Sequence, residues 1–187
     1  MLSKAALWIL NFFGWKLIGE LPKLNKYVII IAPHTSNWDF FIFILVKMHY
    51  RLDVVFIGKH TIFIGPIGWV LKKLGGLPVN RSSSHKVVDQ IVDEFERRQQ
   101  MVFGLSPEGT RSYLDHWKSG FYHIAIKAKV PVQTAFLDID THSLGWGPLF
   151  HLSGDKEKDL GQIAEFYADK RGIKPEKFSK IVFKKNK

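Results

Sequence analysis

The sequence predicts an α/β domain: a largely parallel sheet flanked by helices, with an N-terminal amphipathic segment lying in a membrane surface. Three observations carry this. Short β-favouring runs alternate with longer amphipathic stretches through most of the 187 residues. Proline and glycine punctuate the boundaries, as at Pro33 and Gly75-Gly76. The opening residues are crowded with Leu, Trp and Phe, yet are too interrupted to span a bilayer.

Residues 1–20 are read as the membrane-associating segment. The apolar run Ala5 to Leu10 is short, and Asn11 and Lys16 break up the residues after it. There is no small-residue cleavage pattern, so a signal peptide is not expected. Trp8, Phe12, Phe13 and Trp15 are residue types that favour the headgroup level. The other reading is a helix packed on the protein's own core.

Tyr27 to Ala32 is a continuous β-favouring run, read as a buried strand that Pro33 ends. A helix is predicted from about Ser36 to Tyr50, a strand over Val54 to Ile57, a helix over Gly65 to Leu74 and a short strand over Leu77 to Val79. Ser84 to Gln100 is the clearest amphipathic helix, with Val87, Val88, Ile91, Val92 and Phe95 on one face. Met101 to Leu105 reads as a strand, Ser106 to Ser112 as a turn, Lys118 to Lys129 as a helix and Val132 to Leu137 as a strand. Asp159 to Lys170 reads as helical, and the basic tail is expected to fray. With no repeat, low-complexity tract or linker, residues 1–187 are expected to form one domain, its motif-bearing core over 25–137.

Composition bounds the partners. Lys and Arg total 27 against 17 Asp and Glu, a formal net charge of +10, so an anionic partner is favoured. Nucleic acid is not expected, because the basic residues are dispersed and no familiar nucleic-acid motif appears. The absence of cysteine removes disulfides and thiolate metal sites. No G-x-S-x-G occurs, which argues against a serine hydrolase of that type.

Three constellations come directly after predicted strands, where α/β folds place ligands and catalytic groups. The first is His34-Thr35-Ser36-Asn37-Trp38-Asp39. Inside a regular helix, residues five apart diverge by roughly 140°. His34 and Asp39 meet only if His34 precedes the first turn, as Pro33 suggests. A carboxylate on one ring nitrogen would fix the imidazole tautomer and leave the other nitrogen as a general base. With eight His and ten Asp in the chain, chance supplies about 0.4 such pairs. The alternative is that Asp39 charges the helix start while His34 merely packs.

The second is Ser106-Pro107-Glu108-Gly109-Thr110-Arg111-Ser112, a tight turn whose backbone N–H groups, hydroxyls and Arg111 suit a phosphate. It reads equally as a surface turn with an Arg–Glu pair. The third is Gly58-Lys59-His60; Lys59 and Arg81 each serve an anion or are merely solvated. Phe63 to Leu74 reads as an acyl-groove lining, a bilayer contact or an ordinary core helix.

In this order the residues resemble the lysophosphatidic acid acyltransferase family, the glycerolipid acyltransferases with an HxxxxD motif. His34 to Asp39 matches that motif, and Pro107 to Ser112 matches the family's PEGTRS block. Lys59, Val79-Asn80-Arg81, Lys118 with Gly120, and Val130-Pro131-Val132 resemble its further blocks. The resemblance implies that His34 deprotonates an acceptor hydroxyl, oriented by Asp39, which attacks the thioester of acyl-CoA or acyl-carrier protein. It assigns Lys59, Arg81, Glu108, Gly109, Thr110 and Arg111 to substrate binding. No metal and no bound cofactor are implied. The implied acceptor is a lysophospholipid, 1-acylglycerol-3-phosphate foremost, at the cytoplasmic face of a membrane with anionic lipids. Pro33, Thr61, Asn80 and Ser106 depart from the family's frequent residues, which leaves open another lyso-lipid, such as a lyso-amino-acid lipid. A non-catalytic lipid-surface binding protein is the competing class.

Overall fold

A computed structural model describes residues 2–79 and 84–184. In chain order it contains α1 (Leu2–Phe12), β1 (Lys16–Ile18), β2 (Lys26–Ala32), α2 (Trp38–Tyr50), β3 (Val54–Lys59), α3 (Gly65–Lys73) and β4 (Gly76–Val79). Then come α4 (Ser84–Arg97), β5 (Met101–Leu105), α5 (Gly120–Ala128), β6 (Val132–Asp138), β7 (Ser143–Phe150) and α6 (Lys156–Tyr167). The strands form one sheet in the order β1-β7-β6-β2-β5-β3-β4.

The five strands from β6 to β4 are mutually parallel. β7 is antiparallel to β6, and β1 is parallel to β7. The connections explain the change of direction. Residues 139–142 form a tight reversal between β6 and β7, whereas parallel neighbours need a long crossover. The expected largely parallel sheet is thus observed, with two additional strands running against it.

β2 shows why its sequence is apolar throughout. Val28, Ile30 and Ala32 enter a core with Phe95, Phe103, Phe121 and Ile163. Tyr27 and Ile29 enter a second core with Leu10, Trp15, Val46 and Trp146. Successive strand side chains point to opposite faces, so a strand covered on both sides must be apolar at every position. The first core is closed by α4, α5 and α6, and the second by α1 and α2.

β1 and β7 carry no strand signal in the sequence. Gly145, Gly147 and Pro148 have the composition of a loop. The glycine at 145 is required by contact: a Cβ there would meet the Ile18 carbonyl oxygen at 1.9 Å. The helix α6 begins earlier than expected because Asp155 caps it, accepting from the Glu157 and Lys158 N–H groups, each at 3.1 Å. The chain after α6 is docked as far as Phe183, which bridges to Trp117; residues 185–187 of the basic tail expected to fray lie outside the described residues.

The N-terminal helix packs one face on the protein's own core. Ala6 and Leu10 are buried, and the Ser3 hydroxyl donates to the His49 carbonyl at the far end of α2. The opposite face leaves Trp8, Phe12 and Phe13 about two-thirds exposed (65%, 70% and 66%). No helix among the described residues is long and apolar enough to cross a membrane.

Candidate active site

The motif blocks are scattered in sequence and adjacent in space. β2, β5, β3 and β4 are consecutive neighbours in the sheet. Their carboxyl ends therefore deliver His34, Glu108 and Lys59, with Val79, to one edge. Asn80 and Arg81 lie outside the described residues. Lys59 is exposed, paired in register with Val79, and two strands from the His34 loop, about 10 Å across the sheet.

His34 precedes the first turn of α2, as its spacing from Asp39 requires. Its Nδ1 lies 3.1 Å from Asp39 Oδ2. The same oxygen accepts from the Thr35 N–H at 2.7 Å and the Ser36 N–H at 2.8 Å. Asp39 is in the first turn of α2 and buried. One carboxylate oxygen thus folds the loop back over the helix start and holds the imidazole. This leaves Nε2 as the nitrogen that can exchange a proton with another molecule.

Asp39 Oδ1 is buried without a hydrogen-bond partner, and Asp39 is one of the residues lining an apolar cavity of about 50 Å³. Ile31, Pro33, Ile42, Phe43 and Trp146 are among its walls. That space suits a small molecule such as water and is far too small for a fatty acyl chain.

Glu108 is fully buried. Its Oε1 accepts from the His34 backbone N–H at 2.6 Å, and its Oε2 accepts from the Ser179 hydroxyl at 3.2 Å. Burial pushes the carboxyl up to about 7, against the opposing pull of those two bonds. Its geometry is that of a brace behind His34, withdrawn from the surface where a substrate would arrive.

The rest of the second block is shaped by its neighbours. The Gly109 N–H donates to the Ser106 carbonyl at 3.1 Å, closing the turn. Gly109 has φ +64°, and a Cβ there would lie 2.9 Å from the Lys118 side chain. The Lys118 N–H in turn donates to the Pro107 carbonyl at 2.9 Å. Thr110 Oγ1 accepts from the Ser112 N–H at 3.3 Å. Arg111 donates through Nη1 to Asn37 Oδ1. The two blocks are therefore joined twice, by Glu108 to His34 and by Arg111 to Asn37.

Val130-Pro131-Val132 lies elsewhere. The Pro131 carbonyl accepts from the Val28 N–H at the amino end of β2, about 20 Å of strand away from the His34 loop. Two residues that carry no sequence signal do reach the site. Thr35 Oγ1 accepts from the Lys174 N–H at 3.0 Å, and Ser179 holds Glu108. Among the described residues no cluster of three or more His, Asp or Glu side chains converges as metal ligands would.

A family model described as acyltransferase matches residues 17–138. The chain is 31% identical over 130 residues to the 1-acyl-sn-glycerol-3-phosphate acyltransferase of Escherichia coli, covering 64% of this chain and 51% of that one. It is 28% identical over 124 residues to the protein of the same name from Saccharomyces cerevisiae, covering 63% and 40%. The chain thus spans about half the length of the curated relatives it matches. The crystal structure of the 1-acyl-sn-glycerophosphate acyltransferase of Thermotoga maritima superposes with a TM-score of 0.64 at 18% identity, over 90% of this chain and 75% of that one. That likeness is one of fold.

Proposed function

This chain belongs to the acyltransferase family, and we propose that it moves a fatty acyl group from a thioester donor to a lysophospholipid hydroxyl, with 1-acylglycerol-3-phosphate the foremost acceptor. The observation that carries the proposal is the His34–Asp39 pair, held 3.1 Å apart at the sheet edge where Arg111 also converges. The names of the relatives support the acceptor.

The chemistry needs no nucleophile from the protein. Asp39 keeps the Nδ1 proton of His34 in place, so Nε2 accepts the proton of the acceptor hydroxyl. The hydroxyl oxygen attacks the thioester carbonyl, and the C–S bond breaks from the tetrahedral intermediate. The sulfur leaves as the thiol of CoA or of acyl-carrier protein, taking the proton back from His34. Asp39 and the buried Glu108 carboxylate both offset the charge of the transient imidazolium. Arg111, with Lys59 and Arg81, supplies positive charge for the acceptor's phosphate.

The protein works at a membrane surface in this reading. Large apolar side chains stand exposed near the site edge: Phe12 ends α1 and Phe13 follows it, Trp38 and Phe41 open α2, and Ile64, Ile67 and Trp69 lie at α3. With a net charge of +10, such a face suits the anionic cytoplasmic leaflet.

The test is lipid mass spectrometry after incubation with mixed lyso-acceptors and either acyl-CoA or acyl-carrier protein. A diacyl product that disappears in His34→Ala, with vesicle binding retained, is the expected result. Undiminished product from His34→Ala would overturn the mechanism.

A further inference from the structure

The chain beyond the family-matched residues 17–138 returns to the site. After α6 it runs along the carboxyl edge of the sheet. The Arg171 N–H donates to Asp138 Oδ1 at 3.1 Å, and the Ile139 N–H donates to the Arg171 carbonyl at 2.8 Å. Gly172 then passes so near the His34 loop that a Cβ on it would lie 2.6 Å from Thr35 Oγ1. The Lys174 N–H binds that same hydroxyl. Further on, the Lys180 N–H donates to the Leu114 carbonyl at 3.1 Å, and the Trp117 N–H to the Val182 carbonyl at 2.8 Å. The segment therefore grips both motif loops.

We propose that the segment from Arg171 to Val182 is a working part of the acyl-transfer site, with Ser179 a positioning residue for His34 that acts through Glu108. This rests on the acyltransferase reading of the site.

The hydroxyl of Ser179 has little freedom. Ser179 is 2% exposed, and its oxygen accepts from the Leu114 N–H at 3.1 Å. Its single proton is then directed to Glu108 Oε2. That leaves Oε1 for the His34 backbone N–H, so the main chain carrying the base is fixed through a buried relay. The relay is also electrostatic. The titratable groups facing Glu108 are His34 and the fully buried Tyr167 phenol. Against burial, the His34 N–H and then the Ser179 hydroxyl favour the ionised form. An ionised Glu108 faces the imidazolium that His34 becomes during transfer.

Removing the hydroxyl takes the side-chain hydrogen bond from a buried carboxylate oxygen, leaving the weaker contribution of the Ser179 backbone, and raises the pH at which Glu108 ionises. Ser179→Ala should lower kcat by about tenfold with KM within about twofold, as losing one bond to a charged group implies. The limb of the kcat/KM profile that follows Glu108 ionisation, which supplies the ionised carboxylate facing His34, should move to higher pH by about half a unit or more. Ser179→Thr should restore both.

Ser153 supplies a matched control. It donates to the buried carboxylate of Asp159 at 2.7 Å, past the far end of β7 from the site. Ser153→Ala should lower Tm and leave the limb where it is. An unmoved limb in Ser179→Ala, or an equal shift in Ser153→Ala, overturns the proposal. If Ser179→Ala does not fold, Ser179→Cys keeps a weaker donor and must show a smaller shift in the same direction; none overturns it. If the wild-type protein yields no acyl product, the acyltransferase reading fails, and the relay is read by NMR. A His34 amide resonance displaced by Ser179→Ala and not by Ser153→Ala supports it; an undisplaced one overturns it.

Discussion

Glu108→Gln should give a protein that is more stable above neutral pH and slower as a catalyst. Burial lifts the Glu108 carboxyl from an ordinary 4.5 to about 7 in the fold. Between those values the native state holds a proton that the unfolded chain has released. Unfolding stability therefore falls as pH rises, by about 1.4 kcal/mol per pH unit for one proton. The penalty is absent below about pH 4.5, and above about 7 it reaches about 3 kcal/mol. Glutamine keeps an oxygen for the His34 N–H and has no charge to desolvate. Its second amide proton needs an acceptor in the same buried space, so about 3 kcal/mol is an upper limit. Chemical denaturation of both proteins from pH 5 to 8 tests this: the wild-type curve should fall relative to the variant across that window. Parallel curves would refute the assignment of a buried, late-ionising Glu108. At pH 8 the variant's kcat should be lower by about tenfold, because the anion opposite the imidazolium is gone.

Asp39→Asn keeps an acceptor for the Thr35 and Ser36 N–H groups but loses the charge that steadies His34. Transfer should fall by about 10³-fold or more with the fold intact, measured as thiol release alongside circular dichroism. Gly172→Val places side-chain atoms on the Thr35 hydroxyl. Stability should drop by about 1–3 kcal/mol in urea melts, and kcat should drop with it. Changing Trp8, Phe12 and Phe13 together to Ser removes exposed apolar area without touching the buried Ala6 and Leu10. Co-sedimentation with anionic vesicles should weaken by at least about tenfold while Tm holds.

The site is legible in the sequence where local chain geometry makes it, and illegible where distant chain makes it. His34 and Asp39 are five residues apart, and Pro33 places the histidine ahead of the helix, so they can meet where a regular helix would hold them apart. The alternating pattern likewise foretells the parallel strands from β6 to β4. β7 is hidden because Gly145 and Gly147 have the look of loop residues but are required by close packing. Glu108 reads from sequence as a substrate contact because its block resembles one. Its burial depends on β5 lying beside β2, which no local pattern states. Ser179 lies 71 residues from its partner, within a stretch of lysines and phenylalanines that marks nothing.

That difference bears on how the dyad works. A His–Asp pair at this spacing is common by chance, and its hydrogen bond alone does not prepare a base. What distinguishes His34 is that its ring and its main chain are held by two different carboxylates, Asp39 on Nδ1 and Glu108 on the backbone N–H. The first anion is fixed by the loop that carries it, through the Thr35 and Ser36 N–H groups. The second is fixed by chain from two other regions, the β5 turn and the returning C-terminal segment. Two independent supports restrict both the position and the rotation of the imidazole, which is what a base needs when its substrate arrives from a fluid membrane. Loss of the Glu108 support alone should therefore leave a folded protein with an intact dyad distance and a poorly aimed Nε2.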